Sequence, residues 1–173
     1  MGAESFGSTG IGLWGPLASA QNATLSVDPT IQTTTTGSLV TVDVSISSVT
    51  NLYGYQFDLT FNPSILQAVS SSEGSFLSKD GSATFFIPGT NDNVGGTVAA
   101  TADTLLTAVN GVGGAGELVV ITFDAIGSGT SAINIANEIL LDSNLNIISD
   151  TTTGGSVTVN SPAQARRSIR LLH

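Results

Sequence analysis

Two runs of strict alternation restrict what this chain can fold into more than any other feature. Over residues 39–47, Val40, Val42, Val44 and Ile46 fall on one side, and Thr41, Asp43, Ser45 and Ser47 on the other. Over residues 53–61, Tyr53, Tyr55, Phe57, Leu59 and Phe61 alternate with Gly54, Gln56, Asp58 and Thr60. Residues i and i+2 share a face only in a pleated strand, so both runs read as strands with one side buried and one side wet. A helix would scatter the same residues around its circumference. Asn62-Pro63 closes the second run, because proline has no N–H to continue a ladder. Pro63 and Ser64 are expected to open a single helical turn, after which Leu66 and Val69 rejoin the core.

Further strands are expected at residues 82–87, 96–102, 117–125, 131–140 and 147–160, the last interrupted near 151–155. A brief helix is expected at 103–109, and Gly111, Gly113, Gly114 and Gly116 make regular structure costly from there to 116. The composition agrees with sheet: 22 Thr, 14 Val and 13 Ile stand against 8 residues of Lys, Arg and Glu together. About nine strands without an internal repeat describe an all-β, two-sheet sandwich. A chain of 173 residues without cysteine is long enough to bury a core in one domain without disulfides.

The termini differ from this body. Ala18-Ser19-Ala20 has the small-x-small form of an export-signal cleavage site, so residues 1–20 are read as a truncated signal peptide or a disordered leader. Residues 161–173 form a basic tail without β alternation, and it holds three of the four cations, Arg166, Arg167 and Arg170. The domain between, residues 21–160, then carries Lys79 against twelve carboxylates. Such a surface does not neutralise phosphates, so nucleic acid is not an expected partner. No apolar run is long enough for a membrane-spanning helix.

Catalysis lacks parts. The sole imidazole is His173, the last residue, and there is no thiol, so neither a nucleophile-base triad nor a His-rich metal centre can be assembled. Six carboxylates, Glu73, Asp80, Glu117, Asp124, Glu138 and Asp142, are scattered enough to read as solvated charges rather than as a glycosidase pair. Asp142, Asn144 and Asn146 place oxygens at alternate positions, like the start of a calcium loop. However, Ile147 stands where the turn glycine belongs and Thr153 where the bidentate glutamate belongs. A hairpin turn between Leu141 and Ile147 is the stronger reading, and Asn91-Asp92-Asn93 is read in the same way. The aromatic stripe of Tyr53, Tyr55, Phe57 and Phe61 shares its face with Leu59, which makes it core rather than a sugar platform. The single tryptophan, Trp14, lies in the leader.

Residues 37–46, Gly-Ser-Leu-Val-Thr-Val-Asp-Val-Ser-Ile, followed by 52–66, Leu-Tyr-Gly-Tyr-Gln-Phe-Asp-Leu-Thr-Phe-Asn-Pro-Ser-Ile-Leu, resemble the cohesin domain family. Gly74-Ser75-Phe76-Leu77, Gly96-Thr97-Val98 and residues 116–123 resemble later family landmarks in the right order. The resemblance covers residues 23–159. It implies a nine-stranded jelly-roll β-sandwich acting as a secreted or cell-surface, non-catalytic module that binds a dockerin-type protein in polysaccharide-degrading assemblies. Carbohydrate binding is the alternative and a structural surface role the third reading. No cofactor is implied, and calcium, if involved, belongs to the dockerin. The third, fifth, sixth and eighth strands are implied to share a sheet whose outer face meets the partner. The expected contact residues are Gln56, Asp58, Thr60, Thr84, Phe86, Thr97, Ala99, Thr101 and Asn134. Cohesins often carry Asp or Asn where Gln56 stands. Phe85 and Phe86 are adjacent, so only one can point outward, and Phe86 is the expected anchor.

Overall fold

A computed structural model describes residues 22–162. The expected leader, and all but the first two residues of the expected tail, lie outside the described residues. Ten strands follow one another: β1 (Ala23–Asp28), β2 (Ile31–Thr35), β3 (Leu39–Thr60), β4 (Leu66–Glu73), β5 (Thr90–Asp92), β6 (Thr97–Thr104), β7 (Val112–Ala125), β8 (Gly129–Asp142), β9 (Asp150–Thr153) and β10 (Gly155–Asn160).

The two alternating runs are halves of one 22-residue strand, β3, which bends where Ser48 and Asn51 adopt φ of 57° and 62°. Its first half pairs with β1 and β7, and its second half with β6 and β8. One strand therefore belongs to both layers of the sandwich. The back layer runs β9-β1-β3-β7-β4 and the front layer β5-β6-β3-β8-β10-β2. The pairings β1–β9 and β2–β10 are parallel, and the other strand pairings are antiparallel. Between the layers lie the inward residues of both runs, including Val42, Val44, Ile46, Phe57 and Leu59, with Leu25, Val98, Phe123, Ile133, Leu140 and Val157. Phe61 meets Phe123 edge-on at 5.1 Å between ring centroids, and Tyr53 packs partly buried against the cluster.

Some expectations are corrected. No helix forms at 103–109. Asp103 and Thr104 complete β6, and Leu105 bridges to Thr84. The glycines at 113, 114 and 116 lie inside β7, where register shifts against β3 absorb them. Gly116 is there because of close packing, since a Cβ at that position would stand 2.7 Å from Phe76 Cδ2. Residues 82–87 are not a continuous strand but an edge segment fastened to β6 by bridges at Thr84 and Ile87. Leu66 is buried as expected, yet Val69 is exposed and Ala68 takes the inward place, because β4 runs as a strand from Leu66, and alternation puts residue 68 inward and residue 69 outward. The expected turn at Pro63 is present, with Ile65 and Leu66 N–H both donating to Asn62 O at 3.0 Å.

Candidate functional site

The outer face of β6, β3 and β8 is laid out in cross-strand rows. Thr97, Thr60 and Asn134 form one row, Ala102, Gln56 and Ile139 another, and Thr104, Gly54 and Leu141 a third. The edge segment extends the last two, since Ile87 pairs with Ala102 and Phe85 N–H donates to Thr104 O at 2.8 Å. At Gly54 the row lacks a side chain, and a cavity of about 270 Å³ opens there, lined by Gln56, Phe85, Ile87, Thr104, Ile139 and Leu141 among others. One half of the face is thus hydroxyl and carboxamide, and the other is apolar around the exposed Gln56.

Between the halves lies Asp58, flanked by a β-bulge on each side. On β6, Phe57 opposes Thr101 and Leu59 opposes Val98, so Ala99 and Ala100 share the place opposite Asp58. On β8, an extra residue falls between Ala136 and Ile139. The bulged residues Ala100 and Asn137 are left-handed, with φ of 55° and 53°. Asp58 joins them: Oδ1 accepts Ala100 N–H at 2.7 Å, and Oδ2 accepts Asn137 Nδ2 at 2.7 Å. Asp58→Ala removes both charge-assisted bonds and leaves non-glycine Ala100 strained without compensation. It is expected to cost about 2 kcal/mol in urea-induced unfolding; an unchanged midpoint would show that the bulges hold without it.

Of the nine expected contact residues, Gln56, Asp58, Thr60, Thr97, Ala99 and Asn134 lie on this face. Three do not. Thr101 is 0% exposed, because the bulge at Ala100 reverses the parity of β6 beyond it, and its Oγ1 donates to Pro88 O. Phe86 packs against the core while Phe85 is 58% exposed, since the edge segment joins β6 through the backbone of residues 83, 85 and 87. Thr84 shares the parity of Phe86, and its Oγ1 donates to Glu73 Oε1 at 2.6 Å.

Sequence reasoning missed Phe85, Ile87, Thr104, Ile139 and Leu141. The doublet Ile139-Leu140 after Ile133 and Ile135 breaks the alternation and marks the bulge at Asn137. The bulge at Ala100 leaves no comparable mark.

The oxygen-rich loops serve turns. Asp142 Oδ1 accepts the N–H groups of Asn144 and Asn146 at 2.8 and 2.9 Å, and these bonds hold its carboxyl below the usual range. Asp92 is held low in the same way by the N–H groups of Gly95 and Val94. Asn93 clasps the backbone of Ala68 with Oδ1 and Nδ2. On the opposite side of the sandwich, β1 and the first half of β3 present Thr24, Ser26, Asp43, Ser45 and Ser47. Burial, and then Asp28 across the pair, raise the Asp43 carboxyl. That surface offers mainly hydroxyls and acids, with Leu39 exposed at the start of β3. Lys79, the one cation among the described residues, lies over the Phe76 ring and donates to Gly113 O.

Comparison with solved structures bears on this arrangement. The sixth cohesin of scaffoldin B from Acetivibrio cellulolyticus, solved in complex with a Cel5 dockerin mutant, superposes with a TM-score of 0.63 at 19% identity, covering 80% of this chain and 99% of that one. A non-cellulosomal cohesin from the archaeon Archaeoglobus fulgidus gives 0.63 at 16% identity, covering 85% and 97%. A cohesin-dockerin complex from Clostridium thermocellum, Coh-OlpC-Doc435, gives 0.61 at 12% identity, covering 81% and 93%. At such identities the likeness shows the fold. No curated protein sequence matches the chain. The family model of the cohesin domain matches residues 20–159, which takes in the strands of both layers but for Asn160 at the end of β10, and the chain belongs to the cohesin domain family.

Proposed function

We propose that this domain is a non-catalytic, extracellular binding module that captures a dockerin-type protein on the outer face of β6, β3 and β8. The observation that carries the reading is the apolar half of that face, where Phe85, Ile87, Ile139 and Leu141 surround Gln56 beside the cavity at Gly54. A protein interface of standard size is organised in this way, with an apolar centre and a polar rim. The rim is supplied by Thr60, Thr97 and Asn134, and by Asp58, whose carboxylate is held by Ala100 N–H and Asn137 Nδ2. Two of the similar structures are complexes with dockerins, which makes a dockerin-type module the first partner to try. A setting in polysaccharide-degrading assemblies follows from the same partner class.

Calorimetric titration of the purified domain with a panel of calcium-loaded dockerins is the test. One-to-one binding to at least one member is expected. Failure with the whole panel, together with retardation of the domain in gels containing polysaccharide, would overturn the reading in favour of glycan recognition. The glycan reading has one observation of its own, the exposed Phe85 ring and the Gln56 carboxamide lining one cavity. The rest of the lining weighs against it, because Tyr55 and Asp103 are buried, with the Tyr55 hydroxyl already donating to Leu118 O, and sugar hydroxyls need more hydrogen-bonding groups than Gln56 and Thr104 offer. Incubation with polysaccharides is expected to release no product.

A further inference from the structure

Behind the apolar half of the face lies an acid that the proposed binding does not use. Asp103 follows the bulge in β6, so its side chain points inward, and the residue is 2% exposed. Its Oδ1 accepts the N–H of Thr104 at 2.8 Å. Oδ2 is buried and makes no hydrogen bond, and the backbone N–H of Phe85 is the one further donor that acts on the carboxyl. What faces it is the carboxyl of Glu73, from the end of β4 in the other layer. Thr84, the one neighbouring hydroxyl of the edge segment, already gives its proton to Glu73 Oε1 at 2.6 Å. Tyr55, from β3, is the other titratable group near the pair, and its hydroxyl donates to Leu118 O at 2.9 Å. Among the described residues no lysine or arginine acts on Asp103.

Glu73 is exposed, but a charged Asp103 facing it would be both desolvated and repelled, whereas a proton on Asp103 turns that repulsion into a charge-assisted bond to Glu73. We infer that Asp103 holds a proton and donates it to Glu73, and that this bond fastens the edge segment 83–87, with Phe85 and Ile87, to the sandwich. The chain of contacts is continuous: Asp103 to Glu73, Glu73 to Thr84, and Thr84 to Leu105 through the β-bridge. Loss of the proton leaves two anions pushing apart the layers at the point where the segment is tied down. The consequence for partner capture, a looser apolar anchor at alkaline pH, rests on the proposed function; the proton on Asp103 does not.

Burial first, and then the charge of Glu73, push the Asp103 carboxyl up to about 7. A carboxyl whose folded value lies above its unfolded value stabilises the fold in its neutral form. That contribution is complete below the ordinary carboxylate range near 3.8 and is lost as pH rises through about 7.

The free domain suffices for the test, which keeps it separate from dockerin binding. Carbon NMR of the Asp103 carboxyl is expected to titrate with a midpoint near 7. Between about pH 5 and about pH 8 the melting temperature of the wild type should fall, and that of Asp103→Asn should stay flat. Over the same interval, exchange of the Phe85 and Ile87 amides should accelerate more in the wild type than in Asp103→Asn. Glu73→Gln supplies a donor in place of the proton, so it should return the Asp103 midpoint toward the ordinary range even if Asp103→Asn does not fold. A midpoint in that range in the wild type, or an Asp103 midpoint unmoved by Glu73→Gln, would overturn the inference. So would stabilisation of the wild type by millimolar calcium that Glu73→Gln abolishes, since the pair would then hold a metal ion.

Discussion

Exchange of Phe85 for alanine is expected to weaken binding of a cognate dockerin-type module by about 30-fold or more, equivalent to about 2 kcal/mol, with little change in melting temperature. The ring is the one large aromatic exposed on the front face, at the rim of the cavity opened by Gly54. Its backbone is tied to Thr104 O, so the anchor is held in place before a partner arrives. Interfaces concentrate their energy in such central, fixed aromatic groups, while the surrounding polar contacts exclude water. Phe86→Ala should do the reverse, lowering stability because that ring packs on the core. Calorimetry and thermal denaturation of the two variants separate the roles. Normal binding by Phe85→Ala with lost binding by a stable Phe86→Ala would show that the parity of residues 83–87 is inverted on the partner-bound domain.

Phe57→Ala is expected to cost about 3–5 kcal/mol, a large share of the stability of a domain of this size. Phe57 is fully buried in the second half of β3, opposite Thr101, and stacks on Tyr55 with 5.9 Å between centroids. Since β3 runs through both layers, neither can shift toward the void without breaking pairs in the other, so the cavity stays open. That rigidity is what moves a large-to-small exchange toward the upper end of its range. Urea unfolding of Phe57→Ala beside Gln56→Ala checks the claim. The neighbour faces solvent and should cost under about 0.5 kcal/mol. A loss below about 2 kcal/mol for Phe57→Ala would mean that the sandwich closes over the hole.

These two predictions draw on different amounts of sequence information. Burial of Phe57 and exposure of Gln56 follow from alternation within a single run, and the same logic identified Val40, Val42, Val44 and Ile46 as core. The all-β class and the sandwich were legible for the same reason: period-two patterning is a local property, written wherever apolar residues alternate with polar ones, while the family was legible only through the resemblance of landmark motifs in their order. The tie between Asp58 and two flanking strands was not legible, because nothing in Gln56-Phe57-Asp58 says what will stand opposite.

Tertiary structure alone decided the parity of β6 beyond Ala100, the choice of Phe85 over Phe86, and the meeting of Asp103 with Glu73. A bulge is a relation between two strands, one residue more on one side than on its partner, so it exists only once the strands have paired. In Val98-Ala99-Ala100-Thr101-Ala102 the small side chains fit either face, and the sequence carries no mark of the slip. Thr101 could turn inward because its hydroxyl found Pro88 O, and Asp103 turned inward with it. The second half of β3 wrote its own faces into its residues. The strands on either side received theirs from the register in which they paired with it.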